Sequence, residues 1–216
     1  MPQSQSITLH NYKFDNISIS GLAGTGSTTL LNLLKDYLKF DGWSGFSGGE
    51  FMRAYSLEKG LIKYNRHHDA SVYGADFDRQ IDYGMRDKFQ KEKKWIIEAW
   101  LSGFMAQKIS RTLKVLVICS NNSVRIDRIV NRDQISVHQA KINILKRAEI
   151  NMKKWSQMYA KEWQEWVVDG GKADKNQPIN FWQENLYDLV IDTYVFNKQQ
   201  TFKKVIEYLN VEVVKS

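Results

Sequence analysis

The sequence predicts an α/β fold in three layers, with a five-stranded parallel sheet between helices, and three observations carry that expectation. Short apolar segments alternate with stretches of helical periodicity along most of the chain. The first of these segments, Asn16-Ile17-Ser18-Ile19-Ser20, runs directly into the glycine-rich turn Gly21-Leu22-Ala23-Gly24-Thr25-Gly26, and a helical pattern follows at once. No stretch rich in Pro, Gly or Ser interrupts the 216 residues, which hold two prolines, so one domain with an insertion is expected rather than two domains.

The elements follow in order. Residues 16–20 read as a buried strand, and beyond the turn Leu30, Leu31, Leu33, Leu34, Tyr37 and Leu38 recur at helical spacing. A second strand is predicted over 42–46. Charged helical segments fill 50–94, broken by Gly60, Gly74 and Gly84. Residues 95–99 and 113–119 read as the third and fourth strands. Helical patterns cover 124–131 and 137 to about 166, and 169–180, with Gly170, Gly171 and Pro178, is a loop. A fifth strand over 187–192 and a helix over 199–209 close a domain spanning 15–210, behind a polar tail at 1–14.

Composition narrows the function classes. No apolar run approaches the roughly 18–20 residues of a membrane span, and residues 1–15 lack the apolar stretch of a signal peptide. Cys119, the single cysteine, is expected to pack at the end of the fourth strand; with no second thiol there is no intrachain disulfide, and the cytoplasm is the expected compartment. His67 and His68 are adjacent, without partners at metal-ligand spacing, and no zinc site is read from them. The formal net charge is +7, with lysines and arginines spread over most helical segments. Lys91, Lys93 and Lys94 alternate with Gln90 and Glu92 as a solvated helix end would. A site for several phosphates accounts for such a balance. With no recognition motif beside the charge, nucleic acid is not expected as the main partner.

Gly21 and Gly26 stand at the spacing of the two glycines in the pattern G-x-x-x-x-G-K-[ST]. Glycines there let the backbone curl until several N–H groups converge on one phosphate, and the following helix adds its positive N-terminal end. Gly21, Ala23, Gly24, Thr25, Gly26, Ser27, Thr28 and Thr29 are therefore the candidate phosphate-binding residues. Thr28 falls where a hydroxyl holds Mg²⁺. Ser27 occupies the place of the lysine that normally reaches the β- and γ-phosphates. The competing reading is a plain glycine-rich turn.

Those residues resemble the P-loop of archaeal-type cytidylate kinases, P-loop nucleoside monophosphate kinases of which some members carry Thr in place of the lysine. Four further stretches resemble the same family in the same order. Ser47-Gly48-Gly49-Glu50-Phe51-Met52-Arg53 is similar to its S-x-G-[ED]-x-[FM]-R segment, and Phe77-Asp78-Arg79-Gln80-Ile81-Asp82 to its I-D-R-x-[IL]-D helix. Glu98-Ala99-Trp100-Leu101-Ser102-Gly103-Phe104-Met105 resembles its E-G-R-L-[SA]-G-W-M segment, and 187–193 its last strand. The resemblance implies a P-loop NTPase fold with an acceptor-binding insert at about 50–94 and a lid at about 133–147. It implies transfer of the γ-phosphoryl group of ATP to CMP or dCMP, with ATP and Mg²⁺ as cofactors; a monomer is expected. Two departures stand out. Ala99 and Trp100 replace Gly and Arg of the family segment, and 161–184, with Trp163, Trp166, Phe181 and Trp182, is longer than the family's connection.

Arg125, Arg128 and Arg132 lie three and four apart, which places them on one helix face. By family likeness Arg128, Arg132 and Arg147 close over the ATP phosphates and stabilise the transition state; the plainer reading is a basic helix paired with Asp127 and Asp133. Glu50 opens the acceptor region. Arg53 and Arg79, with Arg86 behind them, are candidates for the acceptor's phosphate, because a planar guanidinium grips phosphate oxygens bidentately. Asp78 reads a base edge or orients Arg79. Glu98 ends a predicted strand, where ligands of parallel sheets bind, and Trp100 either stacks on a base or belongs to the core. Two alternatives stay open. Ala99 and Trp100 favour a kinase of another small acceptor; Ser27 and Trp100 favour a nucleotide-binding protein without useful catalysis.

Overall fold

A computed structural model describes residues 11–60 and 74–210. His67 and His68 lie outside the described residues. The sheet has five strands: β1 (Asn16–Gly21), β2 (Ser44–Ser47), β3 (Trp95–Glu98), β4 (Thr112–Ile118) and β5 (Leu189–Asp192). They stand in the order β2-β3-β1-β4-β5, and every pair is parallel. The register brings Ile19 beside both Glu98 and Val115, so the ends of β1, β3 and β4 that carry the loop at Gly21 open on one edge.

Alternation along β1 and β4 divides the core. Ile17, Ile19, Leu113, Val115 and Val117 face α1 (Ser27–Leu38) and the C-terminal α8 (Lys198–Leu209), packing on Leu30, Leu34, Leu38, Val205 and Leu209. The other face of β1 carries Ser18 and Ser20, both fully buried. A buried hydroxyl needs a partner: Ser20 Oγ accepts from Gly103 N at 2.8 Å, and Ser18 Oγ donates to the Leu113 carbonyl. These small side chains seat the short α4 (Ser102–Met105), whose Phe104 and Met105 join Leu116 in the second core.

Between β2 and β3 the chain forms α2 (Gly48–Glu58), capped by Ser47, and α3 (Ala75–Lys91). Gly84 does not break α3 as the sequence pattern suggests. It is exposed in mid-helix, where its cost of about 1 kcal/mol is outweighed by burial of Met85 and Phe89. After β4 come α5 (Asn122–Asp133) and the 22-residue α6 (Val137–Met158). Gln134, left-handed at φ 53°, ends α5, and Ser136 caps α6, so 133–137 is a tight connection between two packed helices. The helical pattern expected to reach 166 is interrupted at Tyr159, which is fully buried. α7 (Ala160–Trp163) and a π-helical turn (Gln164–Val168) carry the chain on. The strand predicted at 42 begins at Ser44, because Gly42 at φ +82° still closes a 3₁₀ turn. No described helix is long and apolar enough to cross a membrane.

Candidate functional site

The loop between β1 and α1 is shaped from behind. Leu22 O accepts from Thr25 N and Thr25 Oγ1, Ala23 O from the Arg125 guanidinium, Gly24 O from Arg128 Nη1, and Thr25 O from Thr193 Oγ1. With those carbonyls engaged by protein donors, the loop is left to present amides, and the α1 N-terminus, to an anion. Gly24 and Gly26 have φ of +80° and +95°, the left-handed region that disfavours any side chain.

In front of the loop lies a cavity of about 530 Å³. Gly21, Ala23, Gly24, Gly26, Ser27, Thr28 and Thr29 line it from below. Glu50, Arg53, Glu98 and Trp100 line it from the acceptor side, and Arg128, Arg132 and Arg147 from the helices α5 and α6. Elements more than a hundred residues apart in the chain thus meet around one space. Thr25 is the exception within the loop: its side chain is buried and folded back on Leu22.

Glu98 is buried at the end of β3, and burial pushes its carboxyl above the usual range. Ser27 Oγ donates to Oε1 and Ser47 Oγ to Oε2, each at 2.8 Å, and these bonds oppose the shift. The residue in the lysine position is therefore a neutral donor tied to a carboxylate. Arg132 is held by its neighbour Asp133 through Nε and Nη2, both at 2.8 Å, while its side chain stays half exposed.

A smaller pocket, of about 90 Å³, adjoins the first and shares Gly49, Ala99, Trp100 and Arg147 with it. Besides Arg147, its polar lining is Asp78, Asp82 and Asn151; Trp155, Trp100 and Met52 supply apolar walls. Asp78 Oδ2 accepts from Lys154 Nζ at 2.8 Å, and its Oδ1 accepts no hydrogen bond among the described residues. Burial raises the carboxyl of Asp78 and pushes that of Asp82 up to about 7, although Tyr159 donates its hydroxyl to Asp82 Oδ2 at 2.6 Å.

Arg79 and Arg86 are not at either cavity. Arg79 donates to the Met158 carbonyl and pairs with Glu162 beside Tyr83; Arg86 donates to the carbonyls of Met105 and Gln107 and lies over Trp166. Both fasten α3 to the segments it packs on. The helix turn explains this: Asp78 and Asp82, one turn apart, face the pocket, and the residue after Asp78 points elsewhere. Asp82, Asn151, Ser47 and Arg125 were not singled out by sequence reading as site residues. The spacing of Asp78 and Asp82 was the signal available for Asp82, and the spacing of Arg125, Arg128 and Arg132 the one for Arg125.

No family model matches the chain. A cytidylate kinase of Methanoregula boonei is 33% identical over 134 residues, which is 61% of this chain and 69% of that protein. The chain belongs to the cytidylate kinase family. A cytidylate kinase of Methanosarcina barkeri aligns more widely, at 25% identity over 195 residues, 85% of this chain and 90% of that protein. The kinase is accordingly an ATP-dependent phosphotransferase. Among solved structures, shikimate kinase of Acinetobacter baumannii shares the fold, with a TM-score of 0.50 at 11% identity over 90% of this chain and 92% of that one.

The buried carboxyl of Asp82 makes one prediction for this kinase's stability. A folded-state pKa near 7 lies above the unfolded value, so Asp82 favours folding fully at low pH. That contribution, on the order of a few kcal/mol, is lost as pH rises from about 4 through 7. Asp82→Asn is expected to flatten the fall in melting temperature between pH 5 and pH 8, measured by thermal denaturation. An unchanged slope would mean that Asp82 ionises normally in the fold.

Proposed function

We propose that this kinase transfers the γ-phosphoryl group of ATP to CMP or dCMP. The observation that carries the reading is the acceptor-side pocket, walled by Trp100 and Trp155 and lined by the carboxyls of Asp78 and Asp82. Asp78 offers a buried acceptor oxygen, which suits an exocyclic amino group such as cytosine's and opposes a carbonyl at the same position. Arg53, on α2, lines the larger cavity where the acceptor's phosphate would lie.

The acceptor's phosphate oxygen attacks the γ-phosphorus, the bond from that phosphorus to the β-bridging oxygen breaks, and ADP leaves. An ionised phosphate is already a nucleophile, so no general base is needed; positioning and charge neutralisation carry the step. Amides of the loop hold ATP phosphates and Arg132 faces them from α5, while Arg128, which also lines the cavity, donates to the Gly24 and Thr193 carbonyls and steadies the loop. Among the described residues no three His, Cys, Asp or Glu gather at one point. The Thr28 hydroxyl, which lines the cavity, would hold a Mg²⁺ ion, and such an ion would supply charge neutralisation to the phosphates. The connection at 133–137 and the adjoining part of α6 act in this reading as the lid that excludes water.

The test is product detection by chromatography after incubation with Mg²⁺-ATP and each of CMP, dCMP, UMP, AMP and GMP. Cytidine or deoxycytidine diphosphate as the main product is expected. Trp100 favours a second reading, a kinase of a different small acceptor. It would be supported if ATP were consumed productively only with a molecule outside that panel.

A further inference from the structure

The aromatic segment between α7 and β5 has no task in the reading so far, and neither has the tryptophan that follows β3. Trp182 donates its indole N–H to the Trp100 carbonyl at 2.9 Å. Trp155 and Trp182 meet the Trp100 ring edge-on, at centroid distances of 5.7 and 5.9 Å and interplanar angles of 78° and 80°. Trp182 in turn is packed against Phe181, which is fully buried beside Phe104 and Trp163. The Trp100 ring is therefore held through its backbone and by its neighbours. Over its face lies the guanidinium of Arg147, 4.7 Å from the ring centroid.

Arg147 stands at a junction. It lines the large cavity, the smaller acceptor-side pocket, and a narrow cleft against Leu22 and Ala23 of the phosphate loop. On α6 it is one turn before Asn151 and two before Trp155, both in the acceptor-side pocket. A guanidinium over an indole offers its positive charge to the ring face, while the N–H groups at its edge are the ones that reach an anion. The edge is what grips a phosphate bidentately, so the two contacts do not compete.

We propose that Arg147 binds the phosphate of the acceptor nucleotide, that Trp100 is its positioning platform, and that the aromatic segment 161–184 serves by fixing that ring. This rests on the reading of the acceptor as a nucleoside monophosphate. It moves Arg147 from the ATP side, where family likeness puts it, to the acceptor side. It also accounts for position 100 without loss of function: where the family pattern has an arginine, the charge arrives from α6 and the residue at 100 carries it. Trp100→Arg would set two guanidiniums against each other and weaken acceptor binding.

The experiment measures affinities for CMP, cytidine and ATP by calorimetry in the full chain and three variants. Arg147→Met is expected to lower CMP affinity about 10- to 100-fold, the range of a lost charge-assisted contact, with cytidine and ATP within about twofold. Trp100→Leu should lose about 3- to 10-fold more on CMP than on cytidine, while Trp100→Phe, which keeps an aromatic face, should keep the parent's ratio of the two affinities. Equal loss for CMP and cytidine, or loss for ATP instead of CMP, overturns the proposal. Should the wild type use a different monophosphate, the CMP reading fails separately, and the same comparison between that nucleotide and its nucleoside decides on Arg147. A wild type that binds no monophosphate overturns both.

Discussion

Arg132→Ala is expected to lower kcat by about 10²- to 10⁴-fold while ATP affinity changes only a few-fold. Removing a guanidinium that meets charge developing on the transferring phosphoryl group costs about that much in other phosphotransferases. Ground-state ATP keeps the amides of the loop, so the loss belongs in turnover rather than binding. The residue is suitably placed: it lines the cavity from the last turn of α5, and its half-exposed side chain is held by the neighbouring Asp133. A surface pair of this kind is worth about 0–1 kcal/mol, little enough to be exchanged for a phosphate. Single-turnover kinetics beside ATP titration would check it, and unchanged turnover would return Arg132 to a surface ion pair.

Gly24→Ala is expected to weaken ATP binding at least about 100-fold and to destabilise the fold by roughly 1–3 kcal/mol. At φ +80° an alanine is strained, and its Cβ would lie 2.7 Å from the Arg125 carbonyl, a backbone atom of a packed helix. Either the loop or α5 must shift, and the carbonyl contacts of Arg125 and Arg128 that aim the loop go with them. Gly26→Ala provides the contrast. Its φ of +95° is also unfavourable, but its Cβ would find only Thr193 Cγ2 at 3.8 Å. Its effect should therefore be the smaller on stability. Equal melting temperatures and ATP affinities for Gly24→Ala and the parent would show that the loop does not need this geometry.

The residues of the loop, its place between a strand and a helix, and the parallel five-stranded sheet were legible in the chain. Their signals are local: a strand alternates, a helix repeats every three to four residues, and glycines at fixed offsets permit one turn. Spacing alone put Arg128 and Arg132 on one helix face and Glu98 at a strand end; that the two arginines face the phosphates was what the family likeness implied, and all three line the cavity. It failed for Arg79 and Gly84. Which way a helix faces depends on what it packs against, and Glu162 and Met158, which capture Arg79, lie about eighty residues away.

Only the tertiary structure decided the rest. The neutral Ser27 position is explained by a carboxylate 71 residues distant, which binds Ser27 and Ser47 at once. Trp100 looked like the loss of an arginine until α6 brought Arg147 over its ring and the 161–184 segment brought Trp182 behind it. Periodicity determines what a segment becomes by itself, because that depends on neighbours a few residues along. The chemistry of this site depends on pairs brought together by burial, and burial is a property of the whole fold.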